Sequence, residues 1–132
     1  GGIAAALATE ELTHIEKLVL IAPATETPRA IDNFYQFVPL GNTVKEAMIE
    51  YIIELAQQPL SYFSVVRSVQ QHTTPTLWLH DEGDWLCPYE DVLPAQQLQL
   101  QHVEFYITKG LGHSKIYRDA KVTKKIIDFM HG

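Results

Sequence analysis

Three short apolar runs constrain this 132-residue chain more than anything else in it. They are Lys17-Leu18-Val19-Leu20-Ile21-Ala22-Pro23, Pro75-Thr76-Leu77-Trp78-Leu79-His80 and His102-Val103-Glu104-Phe105-Tyr106-Ile107-Thr108. Each is long enough for one strand and too short for an ordinary helix. The first, continuous and closed by proline, has the pattern of a strand buried on both faces, which is the habit of parallel sheets. Parallel strands need long crossovers, and the segments around the runs read as helical. The expected fold is therefore α/β in three layers, with parallel strands at about 17–23, 75–80 and 102–108 and flanking helices.

The helical readings rest on spacing. Residues 1–16 are Ala-rich, with Ile3, Leu7, Leu12 and Ile15 on a loosely amphipathic face. Tyr89 to Leu100 is helical with a restart at Pro94, because a proline inside a helix loses a hydrogen bond. From Lys115 to His131, Ile116, Ala120, Thr123, Ile127 and Met130 form a stripe expected to face the sheet. Residues 24–74 are too many for one crossover helix. Thr27-Pro28 starts one helix, with Ile31, Phe34, Tyr35 and Val38 at helical spacing. Pro39-Leu40-Gly41-Asn42 breaks it, and Val44, Met48, Tyr51, Ile52 and Leu55 define a second. A third helical piece, 60–69, leads back to the sheet. This insertion has more large apolar side chains than a crossover needs, so it caps a pocket or packs on a partner. Phe34, Tyr35, Phe37 and Tyr62 are its candidate substrate contacts, with packing inside the cap an equal alternative.

Composition removes several function classes. Sixteen Asp and Glu against ten Lys and Arg give a net charge of −6. Together with the lack of basic runs, this argues against a nucleic-acid surface and a polybasic membrane anchor. No apolar stretch approaches the ~20 residues that cross a bilayer. A single Cys forms no intrachain disulfide, and a cytoplasmic location is expected. No metal or other cofactor is expected, since the histidines lack i, i+4 spacing and Cys87 has no partner thiol. Cys87 reads as a small buried apolar group.

Chemistry is concentrated in two loops, each just beyond a strand, where open parallel sheets gather functional groups. Leu79-His80-Asp81-Glu82-Gly83-Asp84-Trp85-Leu86-Cys87-Pro88 runs from the second strand into an acidic turn. Lys109-Gly110-Leu111-Gly112-His113-Ser114 follows the third, with glycines that allow a tight loop to return the imidazole across the sheet edge. An acid and a histidine thus sit at one edge of neighbouring strands. His80 reads as a hydrogen-bonded strand-end residue. His14, His72, His102 and His131 read as surface or helix-end residues.

Pro75 to Pro88 and Gly110 to His113 resemble the acid loop and the histidine loop of the α/β-hydrolase fold, where the triad runs nucleophile, acid, histidine along the chain. His80, Asp84 and Pro88 match the pattern His-Gly-x-x-Asp-x-x-Val-Pro at the same spacing, with Asp81 at the usual glycine and Cys87 where valine is common. The resemblance implies that Asp84 is the triad acid and His113 the general base. Asp81 and Glu82 have no role in the family and are expected to be solvated turn carboxylates. The family's nucleophile lies in Gly-x-Ser-x-Gly, and no serine here has that frame. Gly1-Gly2-Ile3-Ala4 reads as the continuation of such an elbow, which places the serine two residues before Gly1.

The expectation is thus the carboxyl-terminal portion of a serine hydrolase, with a helical cap at about 24–74. The intact protein would act on a small-molecule ester or thioester, and the chain alone would be inactive. The alternative is a non-catalytic module that self-associates, as a homodimer through the exposed edge of the first strand, or that binds the missing amino-terminal half of the fold.

Overall fold

The computed structural model describes residues 1–132. Its centre is a three-stranded parallel sheet in the order β1 (Leu18–Ile21), β2 (Thr76–Asp81), β3 (Val103–Thr108). The strands fall inside the apolar runs, except that β2 reaches one residue further, to Asp81. β2, flanked on both sides, is buried at every position. Leu20 pairs with Trp78 and Trp78 with Phe105, so the large side chains line up across the sheet.

Strand alternation divides the core in two. Leu18, Leu20, Trp78 and Val103 point to one face, where they meet Ala6 of α1 (Gly2–Glu11), Val65 of α4 (Val65–Ser68) and Ala95 of α5 (Leu93–Gln97). Leu77 and Leu79 point to the other, against Ile116 and against Val122 of α7 (Ala120–His131). These are the three layers expected for a parallel sheet covered on both sides. The stretch 24–74 contains α2 (Thr27–Phe37) and α3 (Asn42–Ala56) before α4 returns the chain to β2. Proline in the first turn starts both α2 and α5, as the sequence signals predict.

Three expectations are corrected. The first helix ends at Glu11 rather than near Glu16, leaving Leu12 exposed. The inward stripe of α7 is not Thr123, Ile127 and Met130 but Val122, Ile126 and Phe129. Ile127 and Met130 are half exposed. The reason is a break in phase: the chain makes a short helix, α6 (Gly112–Lys115), then a 3-10 turn at Ile116–Arg118. Asp119 next starts a new helix, its carboxylate accepting from the Lys121 and Val122 amides. A stripe counted from Ile116 cannot survive that restart.

The third correction concerns His72 and His102, which are half-buried and pack edge to face at 5.5 Å instead of standing free at the surface. His102 Nε2 meets the Val69 carbonyl at 2.8 Å, and both ring nitrogens of His72 are buried without a partner. Burial, reinforced by His102 and opposed by Glu10, holds the His72 pKa below the usual imidazole range.

Candidate active site

The carboxyl edge of the sheet is built by the ends of all three strands. β1 leaves through Ala22, in the left-handed region at φ 46°, into Pro23. The start of α1 presses on that corner. A Cβ on Gly2 would lie 2.6 Å from the Pro23 Cβ, so only glycine allows the helix so close. β2 runs into the acid loop, and β3 into a loop in which Gly110 (φ 77°) and Gly112 (φ 62°) take conformations that other residues adopt at a cost.

Asp84 is buried and fully coordinated. Its Oδ1 accepts the amides of Leu86 (3.0 Å) and Cys87 (2.8 Å), an Asx-type turn that fixes the carboxylate. Its Oδ2 lies 2.8 Å from His113 Nδ1. Since an ionised carboxylate only accepts, this contact calls for a proton on Nδ1, and in the neutral imidazole Nε2 is then the lone-pair nitrogen. The His113 side chain is 23% exposed against none for Asp84, so the imidazole bridges a buried acid and the open edge. The Tyr117 ring stands edge-on to His113 at 5.9 Å, and its hydroxyl donates to the Ile21 carbonyl at 3.1 Å. Tyr117 thereby joins the end of β1 to the imidazole, a link with no signal in the sequence.

His80 lies beneath this pair, fully buried. Its Nε2 donates to the Cys87 carbonyl at 2.7 Å and is 3.8 Å from Asp84 Oδ2, too far for a hydrogen bond. It therefore fastens the acid loop to the strand it came from. Cys87 is inert as a nucleophile: burial, aided by the charges of Asp84 and Asp91, pushes its thiol up to about 11.

Asp81 is not the solvated carboxylate expected from the sequence. Its exposure is 0%. Oδ1 accepts the amides of Gly83 and Gly112, both at 2.9 Å. Oδ2 accepts the Thr108 hydroxyl at 2.6 Å and the Leu111 amide at 3.0 Å. Burial alone would raise its pKa, but the bonds from Thr108, Gly112, Leu111 and Gly83 outweigh burial and hold it below the ordinary carboxylate value. Strand periodicity carried the signal that turn reasoning missed, because Leu77, Leu79 and Asp81 share one face of β2.

The insertion's aromatic residues separate. Phe34 and Phe37 line a cavity of about 270 Å³ between α2 and the acid loop, closed below by Leu86, Cys87 and Pro88. Trp85 of the acid loop meets Phe37 edge to face at 5.4 Å. Tyr35 turns toward α3, its hydroxyl 3.8 Å from Met48 Sδ. Tyr62 lies under the Arg67 guanidinium, 4.0 Å from ring centre to charge, on a side chain that also grips Glu10. Neither tyrosine lines the cavity. Glu26 and Asp91 stand at its wall, each with its carboxyl pKa raised by burial; a Ser64 hydrogen bond works against this at Glu26, and the charge of Arg29 does so at Asp91. No group of three or more His, Cys, Asp or Glu is placed to hold a metal ion, and no helix is long and apolar enough to cross a membrane.

No family model matches the sequence, and no curated protein matches it. Solved structures do. An esterase of Pyrococcus furiosus superposes with a TM-score of 0.70 at 14% identity, over 99% of this chain and 49% of its own. An α/β hydrolase from a Medee basin deep-sea metagenome library gives 0.66 at 21% identity, over 100% of this chain and 62% of its own. The α/β hydrolase GrgF from a Penicillium species gives 0.59 at 18%, over 98% and 60%. The chain therefore has a partial α/β-hydrolase fold, and it spans about half the length of the first of these structures.

Proposed function

We propose that Asp84 and His113 are the acid and general base of a Ser-His-Asp triad, and that the protein hydrolyses a small carboxylic ester or thioester. The observation that carries this reading is the 2.8 Å contact between a buried, doubly hydrogen-bonded carboxylate and His113 Nδ1, at the carboxyl edge of a partial α/β-hydrolase sheet. That contact fixes the tautomer a general base needs, with Nε2 free to take a proton. The similarity to the Pyrococcus esterase supports the choice of bond.

In this mechanism His113 Nε2 removes the proton from a serine hydroxyl as its oxygen attacks the substrate carbonyl. The imidazolium, stabilised by Asp84, then returns that proton to the leaving alcohol or thiol, and water repeats the cycle on the acyl-enzyme. We place the serine in the segment preceding Gly1, at the start of α1, because Gly2 and Pro23 bring that helix start to the edge where His113 lies. Phe34 and Phe37 supply the apolar wall for the group carried by the ester. The 132 residues alone then lack the nucleophile and the oxyanion donors, and their hydrolysis stays near background.

The test begins with the coding sequence upstream of Gly1. A Gly-x-Ser-x frame joining Gly1-Gly2 is expected, and the longer product should be labelled on that serine by a fluorophosphonate. An open upstream frame without it overturns the reading. A second reading rests on β1, which occupies one end of the sheet order with its outer edge unpaired. Pairing of that edge with a second copy would give a homodimer whatever the catalytic state.

A further inference from the structure

We infer that Asp81 is a positioning residue for the general base: its buried carboxylate ties the histidine loop to the acid loop, and the His113–Asp84 contact depends on that tie. The inference rests on the reading of Asp84 and His113 as a catalytic pair. Asp81 makes no hydrogen bond to the His113 ring and acts through three backbone amides and the Thr108 hydroxyl.

Asp81 ends β2 on the α7 face of the sheet, where it meets no cation; every partner is an N–H or O–H. Each oxygen holds one histidine-loop amide. Oδ1 takes Gly112 together with Gly83 of the acid loop, while Oδ2 takes Leu111 together with Thr108 at the end of β3. Residues 111 and 112 immediately precede His113, and with its amide held Gly112 turns the chain into His113 at a φ of 62°. The carboxylate therefore does what a pair of backbone bridges would do: it sets the separation of the loops that carry the acid and the base.

An amide cannot replace it. In Asp81→Asn the NH₂ group stands where one oxygen stood, and whichever oxygen is lost, a donor then opposes either the Gly112 or the Leu111 amide. The substitution is nearly isosteric, so its effect falls on the histidine loop and not on core volume. Thr108→Val is milder, removing one donor and leaving the carboxylate its three amides.

The test is the tautomer of His113, read from long-range ¹H–¹⁵N spectra of the ¹⁵N-labelled 132-residue chain near pH 8. Wild type is expected to show Nδ1 protonated. Asp84→Asn is the control for the catalytic pair and is expected to lose that signature. Asp81→Asn, with far-UV circular dichroism unchanged, is expected to lose at least half of the Nδ1-protonated population, and Thr108→Val a smaller share. If Asp84→Asn loses the signature and Asp81→Asn keeps it, the positioning role is wrong and the pair stands. If Asp84→Asn keeps it, the pair itself is wrong and the role goes with it. Should Asp81→Asn fail to fold, Thr108→Val decides: an unaltered tautomer overturns the inference, and a partial loss supports it.

Discussion

Asp81 and Asp84 are three positions apart at the end of one strand, both buried, and their partners divide the work between them. Asp84 spends one oxygen on its own loop and offers the other to an imidazole. Asp81 offers nothing to a side chain that could carry charge, only to hydroxyl and amide donors. Its folded-state pKa lies below the ordinary value, so its stabilising effect is fully present above the unfolded pKa near 4 and is lost as the pH falls through the lower, folded one. Asp81→Asn is therefore expected to destabilise the chain by about 2 kcal/mol at pH 7, the cost of opposing a buried donor. The deficit should shrink as the pH is lowered below about 4, and urea unfolding at several pH values measures it. A deficit constant from about pH 7 down to about pH 2 would contradict the assignment of an ionised carboxylate.

Among the elements, the strands were the most legible in the sequence because they are short, apolar and buried. Leu18–Ile21, Thr76–Asp81 and Val103–Thr108 all lie within the apolar runs, apart from Asp81 at the end of β2. The acid and histidine loops were legible for a different reason, since a residue just beyond a parallel strand has few places to go. Helix faces were less so. The expected α7 stripe begins in a 3-10 turn that the sequence does not announce, and the true face belongs to the helix that Asp119 restarts. The end of α7 is held separately: Lys17 Nζ donates to the carbonyls of Phe129 and Met130, tying the last turn to the start of β1. Phe129→Ala is expected to lower stability by about 3 kcal/mol, whereas Ile127→Ala and Met130→Ala should each change it by less than about 1 kcal/mol. Thermal unfolding distinguishes the two faces, and equal losses would favour the stripe counted from Ile116. Asp81 itself was hidden because two local rules disagree: acidic turns are usually wet, but the alternation of β2 buries that position.

For the molecule as a whole, a three-stranded sheet with full helical layers carries an acid and a base but leaves β1 unpaired at its end. In the second reading proposed above, that edge is where the 15.0 kDa chain would self-associate. Light scattering on the 132-residue chain is expected to return a dimer mass, and a monomer at high concentration would count against edge pairing. The solved α/β hydrolases share this layered frame over nearly all of the chain, at identities too low to show more than the fold. The proposed function therefore rests on the Asp84–His113 pair. Its most direct test is the kcat for a p-nitrophenyl ester of a protein that includes the proposed serine, measured in wild type, Asp84→Asn, His113→Ala and the double variant. Loss of about 10⁴-fold in either single variant, with the double variant no worse than the poorer single one, is the predicted result. A His113→Ala protein that keeps wild-type turnover would contradict it.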